Sequence, residues 1–176
     1  MKTEWFWLKK DNDFEGIFGA KDFTAARYPY YMDEAAFDKI DDEVIFYTAQ
    51  GVGVYDDFLF EPTFAFSERF ESIFLHIEPA LRLKIIQFVD KEKREHAPTP
   101  LYYIPFLPCE DVLHEKSEIV LGKAKKLVLK EEKLKDCRLI HAHLPADDIW
   151  LFSLEAAECI LRRSPMGIRL ERLLCL

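Results

Sequence analysis

The chain has 176 residues, of which 49% are apolar and 14% aromatic, and a formal net charge of −8. That length suits one domain, or one domain with a subdivided N-terminal part, and the apolar share excludes disorder as the default state. The acidic balance argues against a nucleic-acid ligand, whose phosphates call for Lys and Arg, and no run is long enough for a membrane-spanning helix.

The opening residues, MKTEWFWLKKD, hold an apolar cluster of only four residues, Trp5 to Leu8. That is too short for a secretory signal, so a soluble cytoplasmic protein is expected. Residues 4–9 read as a first strand. In the loop that follows, Asp11, Asp13, Glu15 and Gly16 fall at positions 1, 3, 5 and 6 of a calcium-loop template, with Asp22 at position 12. Position 12 usually carries a longer, bidentate Glu, and Gly19 offers no side chain, so an acidic turn is the plainer reading. No cofactor is expected.

Tyr28-Pro29-Tyr30-Tyr31 is an extended aromatic segment that leads to a helix start at Asp33. Met32 and Phe37 are spaced as a hydrophobic staple around that cap, and the helix should end near Ile40. Val44 to Ala49 is strongly β-prone, Gln50 to Gly53 reads as a turn, and Val54 to Phe60 as a returning strand. From Asp33 to Glu61 there are nine acids and one base, Lys39, and the remaining acids and bases balance. The whole net charge therefore sits in one helix-and-hairpin segment. A solvated face is one meaning of such a run; a docking face for a basic partner protein is the sharper one. The expected contacts are Asp33, Glu34, Asp38, Asp41, Asp42, Glu43, Tyr55, Asp56 and Asp57, with Tyr28, Tyr30 and Tyr31 beside them as aromatic anchors.

Thr63 to Val89 reads as strand end, serine, short helix, proline, strand. Ser67 is placed as an N-cap, and Phe70, Ile73, Phe74 and Ile77 form one apolar helix face. After Pro79, Leu81, Leu83, Ile85, Gln87 and Val89 alternate with Arg82 and Lys84. Residues 91–100 form a polar connection, Leu101 to Leu107 an extended segment, and Cys109 to Glu118 a polar loop. Lys126 to Lys130 and Arg138 to Leu144 are short alternating strands. In the second, Ile140, Ala142 and Leu144 make the buried face, which sends His141 and His143 to solvent. Those histidines, with Asp147, Asp148, His114 or Glu115, offer an alternative metal site and hence a hydrolase.

The serine unit returns at Ile149 to Leu173. Pro165 follows Ser153 at the interval that separates Pro79 from Ser67. Leu154, Ala157, Ile160 and Leu161 should be buried, and Glu158 should pair with Arg162 at i, i+4. A serine at a strand-to-helix turn can be a hydrolase nucleophile only between small neighbours. Phe66, Glu68, Phe152 and Leu154 are not small, so both serines read as caps. Cys109, Cys137, Cys159 and Cys175 lack CxxC spacing and read as reduced thiols.

The order SERF…LRLKIIQF, LYYIPFLPCEDVLHEKSE, KKLVLKEEKLKDCRLIHAHL and WLFSLEAAECIL…GIRLERL resembles a large bacterial family of unknown-function domains assigned as immunity proteins of polymorphic toxin systems. The carriers are Ser67-Glu68-Arg69, Tyr102-Tyr103, Asp111, Lys116-Ser117 and the closing helix before Gly167-Ile168. The likeness spans about residues 60–173, and it departs at Phe152-Ser153, where the family often has Arg after Phe. It implies a non-enzymatic protein that binds and blocks a cognate toxin. The expected architecture is α+β: a mainly antiparallel twisted sheet of six or more strands, with helices starting near Ser67 and Ser153 packed on one face. Residues 1–60 form an acidic N-terminal subdomain or extension and 61–176 the main domain. The rival readings are the His141/His143 hydrolase and a regulatory scaffold unrelated to toxins.

Overall fold

A computed structural model describes residues 4–14, 33–48, 55–90 and 101–176. In chain order the elements are β1 (Trp5–Lys10), α1 (Glu34–Asp38), β2 (Glu43–Thr48), β3 (Phe58–Leu59), β4 (Ala65–Ser67), a single 3-10 turn (Glu68–Phe70), α2 (Glu71–Ile77), β5 (Arg82–Asp90) and β6 (Leu101–Phe106). Then come β7 (Glu118–Val120), β8 (Lys123–Lys126), β9 (Val128–Leu129), β10 (Leu139–Leu144), β11 (Asp147–Ser153), α3 (Leu154–Leu161), β12 (Ile168–Arg172) and β13 (Leu174–Cys175). The fold is α+β, mostly strand, in mainly antiparallel sheets.

In place of one sheet, the described residues form two two-stranded pairs, β13 with β9 and β7 with β8, and two large sheets. One has the order β10-β11-β1-β12 and is antiparallel throughout. The other has the order β2-β5-β6-β4-β3, antiparallel except where β2 runs parallel to β5. The expected hairpin of β2 with the strand after it does not form: β2 and β3 lie at opposite edges of their sheet. The turn at 50–53 falls outside the described residues. Segment 1–60 contributes to both sheets, with β1 threaded between β11 and β12.

Both sheets are covered on both faces, which explains why β6 and β11 read as near-continuous apolar runs. One core lies between the sheets and the helices: Phe66 of β4, Phe74 of α2, Phe152 of β11 and Ile160 of α3 are fully buried there. Phe66 and Phe74 stack with centroids 3.9 Å apart. Behind the four-stranded sheet, Trp5, Ile140, Leu151 and Leu129 form a second core. Behind the five-stranded sheet, Phe37 of α1 packs with Ile86, Phe88 and Tyr102 in a third.

Strand β5 shows how alternation misled. Leu83 and Ile85 face the central core but are only half-buried, whereas Ile86 and Phe88 on the opposite face are fully buried because α1 covers them. On α3 the buried set is Ala156, Ala157 and Ile160; Leu154 and Leu161 are exposed, so the buried stripe is narrower than the spacing suggested.

Candidate functional site

The misplaced hairpin divides the acidic segment in two. At the β2 edge, Asp33 caps α1 by accepting from the Ala36 amide at 2.7 Å, as its position predicts. Glu34 lies 2.9 Å from Arg82, Asp38 also pairs with Arg82, and Asp42 lies 2.6 Å from Lys84. Arg82 reaches both carboxylates while lying over the Phe37 and Phe106 rings, so the core beneath α1 fixes its guanidinium. The Lys84 ammonium, hydrogen-bonded to Asp42, holds that carboxyl below the usual aspartate range. Asp41 and Glu43 are exposed and make no ion pair among the described residues.

At the β3 edge the acids are structural. Asp57 is 2% exposed; it accepts from the Ser67 hydroxyl at 3.0 Å, from Arg69 at 2.8 and 3.0 Å, and from the Met166 amide at 2.9 Å. Asp56 is buried too, and its Oδ1 has no hydrogen-bond partner among the described residues. Burial pushes the Asp56 carboxyl up, against a weaker downward pull from Lys10. Gly167, with φ +79°, takes a backbone conformation that favours glycine, and a Cβ there would also crowd Asp56 Oδ1 at 3.1 Å. Asp56 and Asp57 therefore leave the expected docking set, because their carboxyls face inward; Tyr55 beside them is half-buried. The segment Tyr28 to Tyr31 lies outside the described residues, as does most of the proposed calcium loop. Within the loop, Asp11 accepts from the Asp13 amide at 3.1 Å.

The two histidines also need correction. β10 is an edge strand of its sheet, yet His141 is 4% exposed. Its Nδ1 lies 3.1 Å from the Leu107 carbonyl oxygen, its Nε2 lies 2.5 Å from Asp148 Oδ1, and its ring stacks on Trp150. Both ring nitrogens face oxygens, which is how a buried imidazole is satisfied. His143 is half-buried, with Nδ1 3.7 Å from the same Asp148 oxygen. Two of the other proposed ligands are engaged elsewhere: His114 Nδ1 accepts from the Lys116 amide, and Asp147 accepts from the Ala124 amide; Glu115 is exposed. Among the described residues, no three His, Cys, Asp or Glu side chains are placed to hold a metal ion.

Cys109 sits beside this pair, bridged to His141 through the backbone, a proximity nothing in the sequence signalled. Burial pushes its thiol up, with Asp148, Glu110 and Asp111 adding to the effect against a hydrogen bond from the His143 backbone. A nucleophilic cysteine needs the opposite surroundings.

Beside α1 runs a groove of about 440 Å³, apolar at Ala80, Phe106, Leu107 and Pro108, with Asp33, Glu34 and Arg82 also lining it. Sequence reasoning missed this groove and the Arg82 and Lys84 pairings, since all depend on packing α1 against β5 and β6. A scan against protein families finds no match to the chain, and no curated protein matches it. No helix among the described residues is long and apolar enough to cross a membrane.

Proposed function

We propose that the chain is a non-enzymatic binding protein, of the immunity type, that takes a basic partner protein on the α1 face. One observation carries this reading: Asp33, Glu34, Asp38, Asp41, Asp42 and Glu43 are all exposed on α1 and its flanks, against three nearby cations, Lys39, Arg82 and Lys84. The ion pairs there do not close the face. The carboxylates lie in water and the Arg82 side chain is 43% exposed, so its pairs contribute little and a partner's arginine can replace it at small cost, whereas the more buried Lys84 stays with Asp42. A negative patch of this kind steers a cationic partner and sets specificity. The resemblance over residues 60–173 supplies the immunity label and suggests a cognate toxin as the partner.

The hydrolase alternative finds less support, because His141 is 4% exposed and would first have to free one ring nitrogen from Leu107 or Asp148. The regulatory-scaffold reading shares the α1 face and differs only in the partner's identity. The test is capture of partners from the native host, with wild type and with Asp38, Asp41, Asp42 and Glu43 neutralised together. The proposal expects a captured basic protein that is lost from the neutralised variant and released by salt. Capture at unchanged strength and salt dependence removes it. A neighbouring gene for a large secreted protein with a variable C-terminal toxin domain favours the toxin over the scaffold.

A further inference from the structure

Strands β7 and β8 form a two-stranded arm that pairs with neither large sheet. Its tip is Ile119-Val120-Leu121-Gly122. Leu121 is 93% exposed and has φ +53°, a conformation suited to Gly, Asn or Asp. Ile119 and Val120 are 45% and 51% exposed. The arm is held at its root and turn: the Gly122 carbonyl accepts from the Ala146 amide at 3.1 Å, and Asp147 accepts from the Ala124 amide at 3.2 Å. A branched apolar residue in left-handed backbone, turned to water on a fixed arm, adds nothing to the fold. Such a residue points to a contact.

The arm's other feature is charge. Lys123, Lys125 and Lys126 are exposed along β8. The complementary surface is on the same molecule: the groove beside α1 is apolar at Phe106 to Pro108, its charged lining is Asp33 and Glu34 with Arg82, and acids uncompensated among the described residues, Asp41 and Glu43, continue beyond the helix. We propose that the β7–β8 tip docks in the α1 groove of a second copy of this chain, with Leu121 on the Phe106–Pro108 floor and the β8 lysines against the α1 carboxylates. The two surfaces differ, so copies either exchange tips reciprocally in a two-fold pair or add head to tail. The net charge of −8 disfavours an anionic lipid surface as occupant.

The contact stands on the tip and groove, independently of any toxin, although it shares Asp33 and Glu34 with the α1 face. Sedimentation over a wide concentration range tests it. Wild-type mass should rise with concentration, and Leu121→Asp should weaken association by about tenfold or more, since a buried leucine is lost. Lys123→Glu and Glu34→Lys should each weaken it, and mixing those two variants should restore it. Circular dichroism should show Leu121→Asp folded, because the side chain touches water. Wild type monomeric at every concentration overturns the proposal, as does unchanged association of Leu121→Asp or tip-dependent binding to phosphatidylserine vesicles. Because Leu121→Asp leaves α1 intact, it should still capture a basic partner, so failure of self-association and failure of the α1 reading are separable.

Discussion

The two strand–serine–helix units are spelled alike and built differently. At Ser153 the hydroxyl accepts from the Ala156 amide at 3.3 Å, and α3 begins at the next residue. At Ser67 the hydroxyl donates to Asp57 and makes no capping bond, and a 3-10 turn intervenes before α2. The cause is not local. Pairing of β3 with β4, extended by a bond from the Ser67 amide to the Asp57 carbonyl, sets a carboxylate beside the first serine. A hydrogen bond to a charged acceptor is stronger than one from an amide, so Ser67 turns toward Asp57. The same carboxylate ties the units together: it accepts from Met166 beyond α3, and Arg69, which it holds, donates to the Arg163 carbonyl at 2.9 Å. A cation there also suits the negative end of α3.

The sharpest way to break this comparison is to remove Asp57. Asp57→Ala leaves Arg69, the Ser67 hydroxyl and the Met166 amide without their acceptor. Removing one partner of a buried pair costs roughly 3–5 kcal/mol, and because the Arg69 side chain is 45% exposed the lower end applies. Urea unfolding should show the fall as a lower midpoint at unchanged slope. A loss no greater than that from Ser153→Ala would show that the Asp57 junction is not special.

The serines come next. Ser67→Ala should cost about 2 kcal/mol, as for a hydrogen bond to a charged group. Ser153→Ala should cost about 1 kcal/mol, as for a lost cap. The same urea titrations rank them. In an Asp57→Ala background the Ser67→Ala effect should largely vanish while the Ser153→Ala effect persists; equal persistence would make both serines simple caps.

Much of this was legible in sequence where the determining contacts are local. Asp33 and Ser153 cap as their spacing says, β1 runs where residues 4–9 read as strand, and Phe70, Phe74 and Ile77 are buried on one side of their turn and helix. The failures share one cause. The β2–β3 hairpin was inferred from adjacency, but β2 pairs parallel with β5, some forty residues away in sequence. That pairing carries Asp33 to Glu43 to one edge and leaves Asp56 and Asp57 at the other. In sequence, Ile140, Ala142 and Leu144 fill one face of β10, and alternation then sends His141 to solvent. Alternation cannot report that Leu107, Asp148 and Trp150 close over the second face as well.

Asp56, next to the junction, sharpens the comparison through pH. Its folded-state value is raised by burial, with Asp57 adding to the rise, so the native protein holds this proton more tightly than the unfolded chain does. Its contribution is therefore fully present at low pH and is lost as pH climbs from the ordinary aspartate range through the raised value. Asp56→Asn should flatten that decline and be more stable than wild type at neutral pH, by less than Ser153→Ala loses. Urea midpoints across that range check it; a wild-type decline left intact in Asp56→Asn would assign the titration to another group.

The smallest effect belongs to Arg162, an arginine of the second unit. Arg162 lies 3.7 Å from Glu158 at i, i+4, as the spacing predicts, but both side chains are more than half exposed. Arg162→Ala should therefore change stability by no more than about 0.5 kcal/mol, and by less in high salt. Arg69 answers a carboxylate that has almost no water of its own, whereas Arg162 answers one already solvated. If thermal unfolding gave Arg69→Ala and Arg162→Ala equal losses, burial of the partner carboxylate would not be what distinguishes the units.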